Sequence, residues 1–269
     1  MATLKFNKKL GQHILRNPGI ITSMIDKSYI KPTDIILEIG GGTGNLTIKL
    51  LERAQKVIVY EKDERLAAEL LKRVNEFPEL SRKLKLIIGD AMKHDFPHFD
   101  MCIANIPYQI SSPLIFKLLK CNFRRAVLMV QKEFSERLTA RPGSPLYSRI
   151  SASVQLLAKP QHLLKVTKKN FNPPPKVDSA VVSIEPRQKI KINFDEYDFL
   201  LKNCFLRKNK TLNSVFDSEF MLNKMKVTKE QVVEILEKLE IKGKRSNKLD
   251  VEDFLKLLLE FKKIGANLA

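Results

Sequence analysis

The chain has 269 residues, of which 43% are hydrophobic, and this length suits one large domain with its own core and a smaller second domain. Its 48 Lys and Arg residues against 30 Asp and Glu residues give a formal net charge of +18, which indicates a polyanionic partner such as nucleic acid. No apolar run approaches the roughly 20 residues of a membrane span, and the N-terminus lacks the apolar core of a signal peptide. We therefore expect a soluble, intracellular protein.

The positive charge is concentrated in the first part of the chain. From Ile190 onward there are 16 basic and 13 acidic residues, a net charge of +3, so the first 189 residues carry +15. Most of the attraction for a phosphate backbone is therefore expected there.

Short apolar runs in the first 189 residues predict strands separated by helices. Amphipathic segments such as "NLTIKLLERA" and "RLAAELLKRV" lie between the first of them. This β-α-β-α order predicts a seven-stranded, mostly parallel, doubly wound α/β sheet. The runs are "IILEI" (35–39), "VIVYE" (57–61), "LKLII" (84–88), "MCIAN" (101–105), "AVLMV" (126–130), "HLLKVT" (162–167) and "AVVSIEP" (180–186).

After Pro186 the pattern is helical only. Apolar residues recur at helical spacing in "EYDFLLKNCFL", "TKEQVVEILEKL" and "DVEDFLKLLLEFKK". We predict two domains, with residues 1–189 as the catalytic domain and residues 190–269 as a small all-helical domain.

The segment "LEIGGGTGN" (37–45) predicts a nucleotide site between a strand and a helix. Gly40 and Gly42 allow the backbone to approach a ligand closely. Glu61, at the end of the next strand, is placed to accept hydrogen bonds from ribose hydroxyls. Because Asn45 occupies the last position of the G-x-G-x-x-G fingerprint, the dinucleotide pattern is imperfect, and a purely structural turn stays open.

One further strand end carries a polar and a small residue suited to adenosine. Asp90 could hold an adenine amino group and Ala91 leaves room for the ring, although a lone Asp is as often a helix cap. The two residues therefore extend the predicted adenosine site to a third strand end.

"NIPY" (105–108) ends a fourth strand with an amide, a proline and a ring. The exocyclic amine of a nucleobase is a poor nucleophile because its lone pair is delocalised into the ring. Hydrogen bonds from that amine to the Asn105 amide oxygen and to a carbonyl of Ile106 or Pro107 would localise the lone pair. Tyr108 can stack on the extruded base. The stretch therefore predicts a site that grips one adenine and directs the lone pair of its amine toward an electrophile.

The sequence gives no sign of a metal site or a disulfide framework. Cys102, Cys121 and Cys204 are widely spaced, without a C-x-x-C pair. His94 and His98 share a loop that offers no third ligand. We expect no metal.

The order of these motifs, from "GQHIL" (11–15) to "NFNPPPKVDSAV" (170–181), resembles the KsgA-type small-subunit ribosomal RNA adenine dimethyltransferases. "SSPLIFKLL" (111–119), "RKNKTL" (207–212) and "KRSNKLDVEDFLKLL" (244–258) resemble its eukaryotic, nucleolar branch most. The resemblance implies a class I methyltransferase, Rossmann-like, that uses S-adenosyl-L-methionine. It implies four methyl transfers to two adjacent adenosines near the 3′ end of small-subunit rRNA. It further implies a monomer that acts on the pre-ribosomal small subunit in the nucleolus.

The resemblance also assigns roles to residues. One departure is Gly41, where many family members have proline, and a glycine there predicts a more flexible loop. The cofactor-contacting residues implied are Gln12, His13, Leu15, Gly40, Gly42, Glu61, Asp90, Ala91 and Asn105; the target-binding residues are Asn105, Ile106, Pro107, Tyr108 and Phe171, with Tyr108 and Phe171 as an aromatic clamp. The overall charge favours Arg207, Lys208 and Lys210 as RNA contacts over a polar helix end.

Three alternatives stay open. A macrolide-resistance methyltransferase would share the fold but modify large-subunit RNA, and the long helical tail argues against it. A non-catalytic assembly or transcription factor would share the fold without the reaction, and the intact motifs argue against it. An NAD oxidoreductase is disfavoured by Asn45 and by the lack of a proton relay near the glycines.

Overall fold

The computed structural model describes residues 13–188, 191–207 and 209–268. The chain divides into two compact units. The first unit holds residues 1–135 and 158–186, and the second holds residues 136–157 and 187–269. Within the described ranges, no helix has both the length and the apolar composition needed to cross a bilayer.

The strands and helices alternate in the first unit, as the apolar runs predict. The strands are β1 (Ile14–Leu15), β2 (Ile35–Ile39), β3 (Lys56–Glu61), β4 (Leu84–Ile88), β5 (Met101–Asn105), β6 (Arg125–Gln131), β7 (Ala158–Val166), β8 (Phe171–Asn172) and β9 (Ser179–Pro186). The α-helices are α1 (Pro18–Asp26), α2 (Asn45–Leu51), α3 (Glu64–Asn75), α4 (Pro78–Ser81), α5 (Ser111–Lys120), α6 (Lys132–Leu138), α7 (Arg149–Leu157), α8 (Phe194–Leu206), α9 (Leu212–Phe216), α10 (Glu219–Met225), α11 (Lys229–Lys238) and α12 (Val251–Lys263). The 3-10 helices are Tyr108–Ile110, Lys168–Asn170 and Ser246–Lys248.

Seven strands form one sheet in the order β4-β3-β2-β5-β6-β9-β7. Neighbours from β4 to β6 are parallel, and β9 runs antiparallel to both β6 and β7. The predicted mostly parallel, doubly wound sheet is therefore confirmed. Its direction of winding changes between β2 and β5, and the crevice at the carboxyl ends of such strands is where open α/β sheets bind ligands.

The sheet forms because its central strands are buried on both faces. β3 and β6 are runs of Val, Ile, Leu and Met with almost no exposed surface, which is the composition of a strand covered by helices on both sides. The covering helices begin at polar caps: Asn17 caps α1 through a bond from the Gly19 N–H, and Asp63 caps α3 through a bond from the Arg65 N–H.

The proline-rich segment between β7 and β9 contains structure that the sequence did not predict. β8 pairs with β1 in a separate antiparallel ladder, in which Leu15 lies opposite Phe171 and Ile14 opposite Asn172. Residues near the N-terminus are thereby fixed beside the proline-rich segment.

The second unit has its own hydrophobic core and includes a segment from the middle of the chain. Ala140, Tyr147, Ala152 and Leu156 are buried in one cluster with residues of α8 to α12. Arg149 on α7 forms a bidentate ion pair with Asp198 on α8 (Nε–Oδ1 2.9 Å and Nη2–Oδ2 2.5 Å). The domain boundary predicted between residues 189 and 190 assigned residues 136–157 to the first domain, whereas in the structure they belong to the second unit. Those positions have no helical pattern as long as those of the C-terminal segment.

Gly41 is a glycine for a packing reason. A Cβ atom at this position would lie 2.5 Å from Val59 Cγ1 and 2.7 Å from Leu70 Cδ1, closer than side chains approach one another. Core side chains therefore occupy the space in which a larger residue at position 41 would have to fit.

We predict that Gly41→Ala lowers the free energy of unfolding by about 1–3 kcal/mol, the usual cost of overpacking a core. Val59→Ala also destabilises, but the double variant should lose less stability than the sum of the two single losses, since truncating Val59 removes the closer of the two clashes. Urea denaturation of the four proteins gives the coupling energy. Strictly additive losses would contradict the packing explanation.

Candidate active site

A cavity of about 220 Å³ lies at the carboxyl ends of β2, β3, β4 and β5. It is lined by residues from all four strand ends, as expected of the switch point in a doubly wound sheet. The structure brings these predicted site residues together around it: His13, Gly40, Gly42, Glu61, Asp90, Ala91, Asn105, Ile106, Pro107 and Tyr108.

Glu61 is held rigidly beside the glycine loop. Its Oε2 accepts a hydrogen bond from the Gly42 N–H (2.8 Å) and its Oε1 accepts one from the Asp63 N–H (2.9 Å). Burial raises the pKa of the Glu61 carboxyl, and the backbone N–H groups of Asp63, Gly42 and Lys62 oppose that rise. Each oxygen keeps a lone pair, so the carboxylate can accept the two hydroxyls of a ribose.

The loop after β4 presents Asp90 and the buried Ala91 to the cavity. Asp90 accepts a bond from the Met92 N–H through Oδ1 (3.0 Å) and forms an ion pair with Lys62 through Oδ2 (3.0 Å). The Met92 N–H, followed by the Lys62 ammonium, holds the pKa of Asp90 below its ordinary value. An ionised carboxylate beside a small side chain is suited to the amino group of an adenine ring.

Asn105 is the last residue of β5, and its amide has a fixed orientation. Its Nδ2 donates to the backbone carbonyl of His13 (3.1 Å), which sets the amide plane. Within the described part of the chain no group donates to its Oδ1, so this oxygen is available as an acceptor. A Cβ on Gly40 would lie 3.7 Å from the Asn105 carbonyl oxygen, so the glycine loop and the "NIPY" turn are in near contact.

Tyr108 is fixed from two sides. Its ring stacks on the His13 imidazole, with centroids 5.9 Å apart and an interplanar angle of 24°. Its hydroxyl lies 2.7 Å from Ser179 Oγ. His13 Nδ1 in turn donates to the carbonyl of Pro173 (2.8 Å). His13 therefore connects the "NIPY" turn with the proline-rich segment, a role that the motif alone did not indicate.

Some predicted residues lie elsewhere. Leu15 and Phe171 are each 4% exposed and pack in the core of the first unit. Neither residue is among those that line the cavity. Arg207 and Lys210 are exposed residues of the second unit. Gln12 and Lys208 lie outside the described residues, and the roles predicted for all of these residues stay predictions.

Glu38 is a buried acid beside the site that the sequence analysis did not single out. It is 1% exposed, and in the described chain its Oε2 has no hydrogen-bond partner. Burial raises the pKa of Glu38 to about 8, so the carboxyl is mostly protonated at neutral pH. Of these two carboxyl groups, Glu61 is the one that lines the cavity.

Asn45, the departure from the dinucleotide fingerprint, has a structural role. Its Nδ2 donates to the Leu15 carbonyl (2.9 Å), and its Oδ1 accepts from Arg73 Nη1 (2.7 Å), which also donates to the Thr43 carbonyl (2.5 Å). The side chain thereby joins the N-terminal strand to the glycine loop. An amide is needed because the position must donate and accept.

Lys117 on α5 is a residue to which no sequence pattern pointed. Its Nζ donates to the carbonyls of Ala91 (2.9 Å), Met92 (3.3 Å) and His94, and lies 4.5 Å from the centre of the Phe96 ring. An ammonium has three donors, and here all three bind the loop that carries the predicted adenine contacts. Helix α5, which follows the "NIPY" turn, therefore holds in place the loop that carries the predicted adenine contacts.

In the portion of the chain that the structure describes, no group of three His, Cys, Asp or Glu residues could hold a metal ion. His98 lies 3.6 Å from Asp100, and Nε2 of His94 faces Gly89.

Comparison with known proteins decides the family. The family model described as "Ribosomal RNA adenine dimethylase" matches residues 3–261. The chain belongs to this family.

Relatives and solved structures agree with that assignment. A Drosophila melanogaster protein named "Probable dimethyladenosine transferase" is 50% identical over 97% of this chain and 92% of its own length. The dimethyladenosine transferase of Saccharomyces cerevisiae is 42% identical over 98% of this chain and 91% of its own length. The crystal structure of a Plasmodium falciparum dimethyladenosine transferase has a TM-score of 0.89 and 46% identity, covering 96% of this chain and 100% of that chain. The 23S rRNA methyltransferase ErmE, at 24% identity over 93% of this chain and 99% of that one, shares the fold with a TM-score of 0.71.

These findings confirm three predictions: the KsgA-type family, the class I methyltransferase fold and an S-adenosylmethionine-dependent rRNA adenine dimethyltransferase activity. The NAD oxidoreductase alternative is thereby excluded.

We predict that Lys117→Met weakens the binding of S-adenosylmethionine about tenfold, since the adenine loop loses three hydrogen bonds while the aliphatic stem is retained. Turnover at saturating cofactor should change little, because the three hydrogen bonds of Lys117 go to the loop after β4 and not to the "NIPY" turn. Lys120→Met, which alters an exposed lysine of the same helix, is the control. Calorimetry that finds equal affinities for the two variants would refute this role.

Proposed function

We propose that this chain transfers methyl groups from S-adenosylmethionine to the exocyclic amines of two adjacent adenosines near the 3′ end of small-subunit rRNA. The observation that carries the proposal is the orientation of the Asn105 amide. Its nitrogen is engaged by the His13 carbonyl, which leaves the acceptor oxygen for an amine at the cavity. An acceptor at that point, between a nucleotide site and a stacking ring, suits methylation of a base.

The residues around the cavity fit this cofactor. Gly40 and Gly42 have φ values of +79° and +57°, and a Cβ on either would reduce the space beside the loop. Glu61 would accept the ribose hydroxyls, and Asp90 the adenine amino group. When bound, S-adenosylmethionine supplies a methyl group on a sulfonium, which is an electrophile that needs no metal.

The catalytic contribution of the chain is to activate a weak nucleophile. The Asn105 Oδ1 and the Ile106 carbonyl, to which no group of the described chain donates, would accept the two amine hydrogens and localise the nitrogen lone pair. The Pro107 carbonyl already accepts from the Ile110 N–H (3.1 Å), so Ile106 is the better second acceptor. The new N–C bond forms as the methyl–sulfur bond breaks, and the amine then loses a proton to solvent.

Tyr108 would hold the extruded base. One side of its ring is covered by His13, so the base stacks on the exposed remainder, and the bond to Ser179 keeps the ring in place. A stacked base contributes about 1–3 kcal/mol to binding. Phe171 completes the clamp of the family only if its ring turns out of the core, and we retain that role as part of the proposal.

The proposed substrate is the pre-ribosomal small subunit, in the nucleolus, with the protein acting as a monomer. The resemblance of "RKNKTL" to the eukaryotic branch of the small-subunit enzymes supports this choice over large-subunit RNA. Arg207, Lys208 and Lys210 would contact RNA phosphates from the second unit. An additional role in subunit assembly is compatible with the same binding surface.

We predict that Asn105→Ala lowers the turnover number by about a hundredfold, the usual loss when one preorganised polar contact to the transition state is removed. Binding of the small subunit should be nearly unchanged, because the basic surface and Tyr108 remain. Gln109→Ala removes an exposed amide at the same cavity and should leave turnover almost unaffected.

Turnover is measured with labelled cofactor at saturating concentration, and cofactor affinity is measured separately, since Asn105 also lies near the cofactor loop. Turnover of Asn105→Ala close to that of Gln109→Ala would mean that the "NIPY" turn is only structural and that the Asn105 amide does not activate the amine.

A further inference from the structure

Arg16, Lys168 and Lys169 form an exposed group of cations on the first unit, which we call the cationic lip. Arg16 follows β1 directly, and the two lysines lie in the 3-10 helix that leads into β8. Since β1 and β8 pair with each other, the three residues are brought to one end of that short ladder.

Backbone hydrogen bonds fix the positions of the lip residues. The Arg16 N–H donates to the Asn170 carbonyl (2.9 Å), and Asn17 Nδ2 donates to Asn170 Oδ1 (2.7 Å). The Lys168 N–H donates to Asp178 Oδ1 (2.9 Å). The backbone of the lip residues is therefore held in a defined position on the surface.

The lip cations are uncompensated, unlike several lysines of the second unit. Among the described residues, none of the three side chains has an ion pair or a hydrogen bond. No acidic residue occurs between Lys159 and Val177. In the second unit, by contrast, pairs such as Lys238–Glu260 and Lys262–Glu196 neutralise the positive charge. The unpaired charge of the lip is therefore available to an anion.

The lip lies on the segments that carry the proposed target-binding residues. His13, three residues before Arg16, stacks on Tyr108 and donates to Pro173, which follows β8. Three residues of extended chain span about 10 Å. A polyanion on the lip would thus be one or two nucleotides away from a base stacked on Tyr108.

We propose that the cationic lip binds the RNA phosphates that flank the target adenosine. This inference rests on the proposed function and adds the surface that positions the strand next to the extruded base. Unpaired Arg and Lys side chains bind the phosphates of a nucleic-acid backbone, and a nearby base-stacking ring suits the same strand.

The test compares Lys168→Gln/Lys169→Gln with Lys72→Gln/Lys85→Gln. The control removes two exposed lysines of the same unit that have no ion-pair partner within the described chain; they lie on α3 and β4, and β4 is at the opposite sheet edge from β7. A third variant adds Arg16→Gln to the lip pair. Binding to unmethylated small ribosomal subunits is measured from about 50 to 200 mM salt.

For the lip pair we expect the slope of log affinity against log salt to fall by about one per charge removed. The Michaelis constant for subunits should rise at least several-fold, while the turnover number and the affinity for S-adenosylmethionine stay at wild-type values. The Arg16→Gln addition should lower the slope further. The control pair should keep the wild-type slope and Michaelis constant.

A lip pair with the wild-type slope, or a control pair with an equal loss, would overturn the proposal. So would a loss of turnover at saturating subunits, because that would show damage to the site itself. Binding slopes do not depend on catalysis. If the wild-type protein methylated no subunit, the proposed function would fail, whereas the lip would still be judged by the slopes.

Discussion

The hydrogen bond from Asn105 Nδ2 to the His13 carbonyl is the interaction on which the rest of the site depends. It decides which atom of the amide faces the cavity, and only the oxygen can accept an amine hydrogen. The bond also joins β5 to the N-terminal segment, whose own position is set by the β1–β8 ladder and by Asn45. The orientation of this amide is therefore a consequence of tertiary contacts between residues that are distant in sequence.

The ionisable groups differ between the two halves of the site, the half proposed to bind the cofactor and the half proposed to bind the target base. The cofactor half holds Glu61 and Asp90 through backbone N–H groups, while burial leaves Glu38 mostly neutral. Among the described residues, the target half contributes an amide, a carbonyl and a phenol, and burial raises the pKa of that phenol. A neutral surface suits a neutral base, and the uncompensated cations lie outside it, where the phosphates of the same strand would be.

Local pattern sufficed for the sheet and for the residues at its strand ends. The strands from β2 to β6 are continuous apolar runs, and each strand end carries its polar residue within a few positions, so both are visible in the sequence. Lys117 was not predictable, because its partners are backbone carbonyls about two dozen residues earlier that leave no residue pattern. The placement of residues 136–157 in the second unit likewise depends on core packing and on the Arg149–Asp198 pair.

The most direct test of the account is to map methyl groups after reaction of the purified protein with labelled S-adenosylmethionine and unmethylated ribosomal subunits. We expect label on the exocyclic amines of two adjacent adenosines in small-subunit rRNA, two methyl groups on each, and no label on large subunits. Label confined to large-subunit RNA, or to a different atom of the base, would contradict the assignment of Asn105 and its neighbours to this reaction.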